Sequence, residues 1–373
     1  MNRVYKVCNR CVMDTAALDI MFDAAGVCNY CTDFLDRSQH ILQENSIEKG
    51  SRLHSFIAAV KADGKKKPYD CVVGVSGGVD SSWVLVKAVE LGLRPLAVHM
   101  DNGWNSELAQ NNIANLVNAL GVDLYTHVVD WGEYRELMQA FFDADVIDIE
   151  LLYDNAMLGV NYRMAAKHDI RHILFGSNIS TEGITIPADW VWLKNDARNI
   201  RAIGKSRGVK LNTFPAFGVI DLMWHKTLKR IQNKSILDML DYNKENVIAE
   251  LEKRFGYKRY PYKHYESIFT RFYQGFILPK KFKIDKRRVH LSTLVVTNQM
   301  EREEAMSILE VEPYLSREDM ESDVSYFLKK MGWSMKQLED YIQRPQVSHS
   351  EYASEKLIFD IVFELRSRFR RVN

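Results

Sequence analysis

Two hydrophobic periods alternate along the first half of the chain. Short apolar runs rich in β-branched residues recur at residues 70–75, 95–100, 122–129 and 172–175. Each is too short for a helix and predicts a buried strand. Between them the spacing turns helical: from Val79 onward, over residues 106–120, through a stretch ending near Phe142, and over 155–167. Strand and helix in alternation predict an α/β fold, a parallel sheet with helices on both faces. In such sheets ligands bind beyond the carboxyl ends of the strands. That edge gathers the loops after Val75, Met100, Val129 and Phe175. Beyond about residue 184 the strand pattern fades. Residues 190–200 are dense in tryptophan and hydrogen-bonding groups, as a packed helix with Trp anchors or as an acceptor-binding segment. Residues 215–255 and 269–278 predict helix, and 301–373 a helical cap or docking surface. The expected units are a small cysteine module (1–34), a helical linker (35–68), an α/β domain (69–200) and a mostly helical region (201–373).

Composition changes little in this picture. With 46% hydrophobic residues and a formal net charge of +1, the 373-residue chain has material for a real core and no global basic field for nucleic acid. No run approaches the roughly 18 apolar residues of a membrane span. The first residues carry no apolar signal core, so a cytoplasmic location is expected. Charge gathers only locally, at residues 257–266 among tyrosines and at 280–288. Two basic clusters in a near-neutral chain predict a local anion pocket, with a solvated charged face as the alternative.

Four of the five cysteines form two pairs, Cys8-x-x-Cys11 and Cys28-x-x-Cys31. Two such turns facing each other complete a four-thiolate zinc tetrahedron with no open position, so the metal is expected to fold the segment and do no chemistry, with redox or iron–sulfur use as the alternative. Cys71 lies inside the first strand as a small buried hydrophobe.

The chemistry centres on Ser76-Gly77-Gly78-Val79-Asp80-Ser81-Ser82, at the junction of the first strand and its helix. The glycines open backbone conformations closed to other residues and leave no Cβ between amides and a ligand. The helix start offers N–H groups and the positive end of its dipole to phosphate. Asp80 would repel that phosphate unless a divalent cation stands between them, which implies Mg²⁺. No Gly-Lys-Ser/Thr follows, so this is not a Walker A loop. The run resembles the SGGxDS loop of the PP-loop ATP-pyrophosphatases. The resemblance implies ATP cleavage to AMP and pyrophosphate with an adenylylated substrate. It also implies ATP binding by Ser76, Gly77, Gly78, Asp80, Ser81 and Ser82, and by the strand-end residues Asp101, Gly176 and Asn178.

The wider layout adds the Cys8–Thr15 run, Asp196-Ala197-Arg198-Asn199-Ile200, Lys263-His264-Tyr265-Glu266-Ser267, Thr270–Gly275 and Asp285-Lys286-Arg287-Arg288. Over roughly residues 5 to 310 it resembles the N-acetyl sugar amidotransferases of bacterial surface-polysaccharide biosynthesis, of the WbpG and PseA type. That resemblance implies conversion of an acetamido group on a nucleotide-linked sugar to an acetamidino group, for lipopolysaccharide O-antigen or flagellin glycan. Asp80, Lys263 and Arg271 are then the catalytic candidates, and Glu182, Asp196, Lys263, His264, Lys286 and Arg287 the candidates for substrate or phosphate. With the paired thiols on zinc, only Cys71 is left, which counts against sulfur transfer and leaves no nucleophile for glutamine hydrolysis. If ammonia is the nucleophile, a separate glutaminase must deliver it, and the resemblance implies a HisH-like subunit, often with a HisF-like protein. Pairing of two copies through the helical tail stays open. The alternatives are a tRNA-modifying PP-loop enzyme, which should show a basic surface and extra cysteines, and a nucleotide-binding regulator without turnover.

Overall fold

The computed structural model describes residues 4–260, 266–314 and 316–362. Helices α1 (Asn29–Leu42) and α2 (Ser46–Asp63) precede the sheet. The strands are β1 (Cys71–Gly74), β2 (Pro95–Asp101), β3 (Leu124–Val128), β4 (His172–Phe175) and β5 (Gln232–Ser235). They lie in the order β3-β2-β1-β4-β5, and every neighbouring pair is parallel. The crossovers are α3 (Val79–Glu90), α4 (Glu107–Leu120), and α5 (Trp131–Asp143) followed by α6 (Leu151–Lys167). Three shorter helices, α7 (Ile179–Glu182), α8 (Ala197–Lys205) and α9 (Val219–Thr227), lead from β4 to β5. Beyond the sheet come α10 (Lys244–Phe255), α11 (Ile268–Phe272), α12 (Arg287–Val296), α13 (Arg302–Glu310), α14 (Arg317–Met331) and α15 (Met335–Gln343).

The period of two along each strand sorts the core into two layers. Val72, Leu96, Val98 and Ile173 face the layer that holds α5 and α6. Cys71, Val73, Ala97 and Leu174 face the layer of α3, α4 and α10. Register places Val72 against both Leu96 and Ile173, so β1 is buried on both faces and both edges. Cys71 is fully buried there, and burial pushes its thiol pKa up. α4 begins where the Ser106 hydroxyl accepts the Ala109 N–H at 3.2 Å and ends at Gly121, whose φ of 62° closes the helix.

Two expectations need correction. The sheet does not stop before residue 184, since β5 pairs with β4 from His172↔Gln232 to Phe175↔Ser235. Its four residues are all polar and half-exposed at a sheet edge, so no apolar alternation marks them. The apolar run after Phe269 is not one α-helix either. α11 passes into a π-helix over Tyr273–Phe282 that contains Pro279, a residue unable to donate to the carbonyl four positions back. Residues 190–196 are a connection without regular structure, in which Trp190 is buried and Trp192 stacks on His349 at 5.2 Å. No helix among the described residues is long and apolar enough to cross a membrane.

His349 ties the chain's last described segment to this core. Its Nδ1 lies 2.8 Å from Asn199 Oδ1, and its Nε2 accepts the Asp148 N–H at 3.3 Å, which suits a neutral ring with the proton on Nδ1. Burial lowers its pKa to about 4. The unfolded chain, with a histidine near 6.5, therefore takes up this proton first as pH falls. Stability carried by neutral His349 is complete above pH 6.5 and is lost progressively down to pH 4. The expected loss is about 3 kcal/mol. Urea unfolding of wild type and His349→Gln at pH 7 and pH 4.5 checks it: the variant should show the smaller acid loss.

Candidate functional site

β1 ends at Gly74, and the chain turns through Ser76-Gly77-Gly78 into α3. Gly77 has φ +82°, and a Cβ there would stand 2.7 Å from the Ala109 carbonyl oxygen, so the turn requires glycine. Gly78 is the N-cap of α3, and no side chain caps that helix. The first turn thus presents its backbone N–H groups beside the loop. The serines brace the turn from within: Gly78 N donates to Ser76 Oγ at 3.3 Å, and Ser81 Oγ donates to the Gly78 carbonyl at 3.2 Å. From the fourth strand, Gly176 comes so near α3 that a Cβ on it would lie 2.7 Å from Ser81 N.

These elements border a cleft of about 520 Å³ at the carboxyl ends of β1 and β4. Of the sequence-predicted residues, Ser76, Gly78, Asp80, Ser81, Gly176 and Glu182 line it, Glu182 as an exposed rim residue. The Asp80 carboxylate accepts the hydroxyl of Tyr242. Asp80 adjoins a glycine cradle that a Cβ would fill and a helix start with no side-chain cap. That donor set fits a divalent cation placed between carboxylate and phosphate.

Other predicted residues stand elsewhere. Ser82 is buried beneath the loop, 2% exposed, and Gly77 is behind it with its carbonyl accepting from Tyr260 at 3.0 Å. Asp101 accepts from Gly103 N at 2.8 Å and Asn105 Nδ2 at 3.2 Å, so it shapes the turn that brings Asn105 to the cleft. Asn178 caps α7 at Thr181 N, 2.9 Å, and donates to the Gly176 carbonyl at 3.3 Å. Asp196 is fully buried, caps α8 at Asn199 N and accepts from Trp192 Nε1 and Glu355 N. Arg271 forks onto buried Asp323 of α14. Lys286 pairs with Glu150 at 2.6 Å, and Arg287 holds Asp285 and the carbonyls of Ile308 and Val311. Lys281, Lys286, Arg287 and Arg288 are thus committed to intramolecular acids and carbonyls, Lys280 lies over the Phe276 ring, and none of these cations lines the cleft. Lys263 and His264 lie outside the described residues.

Sequence reasoning missed Asn105, Tyr153, Asn161, Tyr242, Lys244 and Glu266. All but Tyr242 line the cleft directly. Glu266 reaches over the loop, its Oε1 standing where a Gly78 Cβ would come within 2.4 Å. It lay inside the 257–266 cluster, where its neighbours' charge drew the reading to the cations. Asn161 reaches Gly74 from α6, and its Oδ1 is buried with no hydrogen-bond partner among the described residues. Below the loop, His99 Nδ1 stands 2.9 Å from the Val75 carbonyl while Asn105 Nδ2 donates to Nε2 at 3.1 Å. Burial lowers the His99 pKa, so the ring stays neutral and fixes the end of β1.

The four paired cysteines converge. Their sulfurs lie within 4.8 Å of one another, with Cys8 to Cys31 at 3.9 Å and Cys11 to Cys28 at 3.7 Å. Zinc–sulfur bonds of about 2.3 Å in a tetrahedron place sulfurs about 3.8 Å apart, so the set fits zinc. Backbone N–H groups of Arg10, Cys11 and Cys28 point at Cys8 Sγ, and that of Met13 at Cys11 Sγ, as thiolate ligands require. Arg302 then grips the Cys8 and Cys11 carbonyls at 2.9 and 3.1 Å, and Arg288 pairs with Asp14.

Among solved structures the chain is similar to an NH3-dependent NAD synthetase from Campylobacter jejuni in complex with the nitrate ion, at 18% identity over 57% of this chain and 94% of that one, TM-score 0.30. An NMN synthetase from Francisella tularensis follows at 16% identity, over 60% and 100% of the two chains, TM-score 0.30. A predicted subunit of tRNA methyltransferase from Methanocaldococcus jannaschii follows at 13%, over 49% and 73%, TM-score 0.28. At these scores the likenesses carry no inference about chemistry. No curated protein matches the chain. A family model does match, that of the LPS biosynthesis protein WbpG-like C-terminal domain, over residues 266–366. That span begins at Glu266 on the cleft wall and runs through α11 to α15. Over residues 266–366 the chain is thus similar to the WbpG-like C-terminal domain, and that span follows a parallel sheet with a glycine-loop cleft and a four-cysteine module.

Proposed function

We propose that the protein is an ATP-dependent, AMP-forming amidotransferase that turns an acetamido group of a nucleotide-linked sugar into an acetamidino group, in the making of a bacterial surface glycan. The observation that carries the reading is the uncapped start of α3 at a glycine turn, with Asp80 beside it, opening on a cleft of about 520 Å³. The match of residues 266–366 to the WbpG-like domain supports the acceptor class.

The amide oxygen of the acetamido group attacks the α-phosphorus of ATP, and the bond to pyrophosphate breaks. Ammonia adds to the resulting imidate carbon. The carbon–oxygen bond then breaks, AMP leaves with its oxygen, and a proton is released to give the amidine. Backbone N–H groups of the loop and α3 bind and orient the phosphates, which supplies both positioning and charge stabilisation. Mg²⁺, when bound at Asp80, offsets the charge of the departing pyrophosphate. Cys71 is sealed in β1 and the other four thiols face one another, so no cysteine among the described residues serves as a glutamine nucleophile. Ammonia on this reading comes from a separate HisH-like glutaminase, with a HisF-like protein as a further partner, in the cytoplasm where sugar nucleotides are made.

Formation of AMP and pyrophosphate is the test. Release is expected only when an acetamido sugar nucleotide and an ammonium salt are both present with Mg-ATP. Stimulation by tRNA, with the sugar nucleotide inert, would overturn the reading in favour of a tRNA-modifying enzyme.

A further inference from the structure

Two tyrosines strap the phosphate loop from outside, one on each side of α10. Tyr242, in the turn that follows β5, donates its hydroxyl to Asp80 Oδ1. Tyr260, beyond the helix, donates to the Gly77 carbonyl at 3.0 Å and accepts from Asn112 Nδ2 at 3.3 Å. Between them Val247, Ile248 and Leu251 of α10 pack into the same layer as Val79 and Trp83 of α3. The helix that follows the last strand is therefore fixed to the loop at both ends and along its middle.

Lys244 opens α10 and lines the cleft, half-buried. A cation in the first turn opposes the helix dipole, so helix stability does not account for it. Arg259 on the same wall is held by Glu252 at 3.0 Å and Glu245 at 3.4 Å. Among the described residues no carboxylate takes the Lys244 ammonium, which leaves its charge to a ligand in the cleft.

We propose that Tyr242 is a positioning residue for the Asp80 carboxylate and that Lys244 is a phosphate-binding cation of the same nucleotide site. This rests on the reading of the glycine turn as a nucleotide site with Asp80 at its cation. A hydroxyl held on one carboxylate oxygen fixes the rotamer, so Asp80 meets a cation already oriented. Outer-shell partners of this kind are worth about 10–100-fold in metal affinity.

The experiment uses full-length protein and α,β-methylene-ATP, which cannot be cleaved to AMP. Nucleotide affinity is measured in EDTA by calorimetry. Mn²⁺ affinity of the nucleotide-saturated protein is measured by electron paramagnetic resonance. Tyr242→Phe keeps the ring and its packing. It should weaken Mn²⁺ about 10-fold and leave both the metal-free nucleotide affinity and the thermal midpoint near wild type. Lys244→Gln should do the reverse, weakening nucleotide in EDTA about 10-fold with Mn²⁺ affinity little changed. A Tyr242→Phe protein with wild-type Mn²⁺ affinity overturns the positioning role, and a Lys244→Gln protein with wild-type nucleotide affinity overturns the phosphate role. Asp80→Asn separates the levels: if it too leaves Mn²⁺ binding unchanged, the cation site at Asp80 is what fails.

Discussion

Replacing Asp80 by asparagine should cut ATP cleavage on the order of 10³-fold while leaving the thermal midpoint nearly unchanged. The two side chains have the same shape, and the asparagine carbonyl can still accept the Tyr242 hydroxyl that Asp80 accepts. What disappears is one negative charge at a helix start otherwise suited to anions. With Glu182 and Glu266 also on the cleft, Asp80 adds to the repulsion that a naked triphosphate meets there. The sign of the effect should therefore depend on the metal. In EDTA the variant should bind α,β-methylene-ATP several-fold more tightly than wild type, because a repulsive charge has gone. In Mg²⁺ it should bind more weakly, because the carboxylate that would hold the cation has gone. Pyrophosphate release and the two affinities together decide the matter. Near-normal turnover, or equal affinities in the two conditions, would rule out a metal-linked role.

The features that could be read from the chain are those written in contiguous residues. Val72 and Val73 are apolar on successive positions because β1 is buried on both faces, and the glycines follow at once because the turn sits against Ala109. The cysteine pairs carry their spacing with them. What escaped was written in the contacts of distant segments. Tyr242 meets Asp80 across 162 positions, and Tyr260 meets Gly77 across 183. Nothing local to either tyrosine announces that. β5 escaped for a different reason, since a polar edge strand has no hydrophobic alternation to show. The partners of the basic run at 280–288 are not legible in it, because charge in one dimension does not say what it will face. Lys281 is drawn to Asp145 and the carbonyls of Tyr341 and Arg344, Lys286 to Glu150, and Arg288 to Asp14 and the Val12 carbonyl. Such cations stabilise the packing of the tail on the body. Lys244, the cation proposed above for phosphate, opens a helix whose sequence gives no hint of the cleft.

Cys8→Ser should strip the protein of zinc, from about one ion per chain, and lower the thermal midpoint by at least about 5 °C. Four-thiolate zinc contributes about 10–16 kcal/mol to the folding of isolated modules, and here the module is built around its sulfurs. Cys8, Cys11, Cys28 and Cys31 are fully buried with Met13, Ala17 and Phe34 around them. Without the metal, four buried thiols would lack the ion that their backbone N–H donors are arranged to serve. The consequence should reach the cleft. Phe34 of α1 lies where a Cβ on Gly183 would come within 2.1 Å, and Arg37 donates to the Gly183 carbonyl and to Thr185 Oγ1. Gly183 directly follows α7, which carries Glu182 on the rim and is capped by Asn178 beside Gly176. Loosening the module should then weaken nucleotide binding several-fold, although no cysteine of the cluster lines the cleft. Cys71→Ala supplies the contrast, since that thiol lies in β1 away from the cluster and its loss should leave the zinc content intact. Elemental analysis of the purified wild type comes first: a protein folded at full stability without stoichiometric metal would show that the sulfurs hold one another by packing alone.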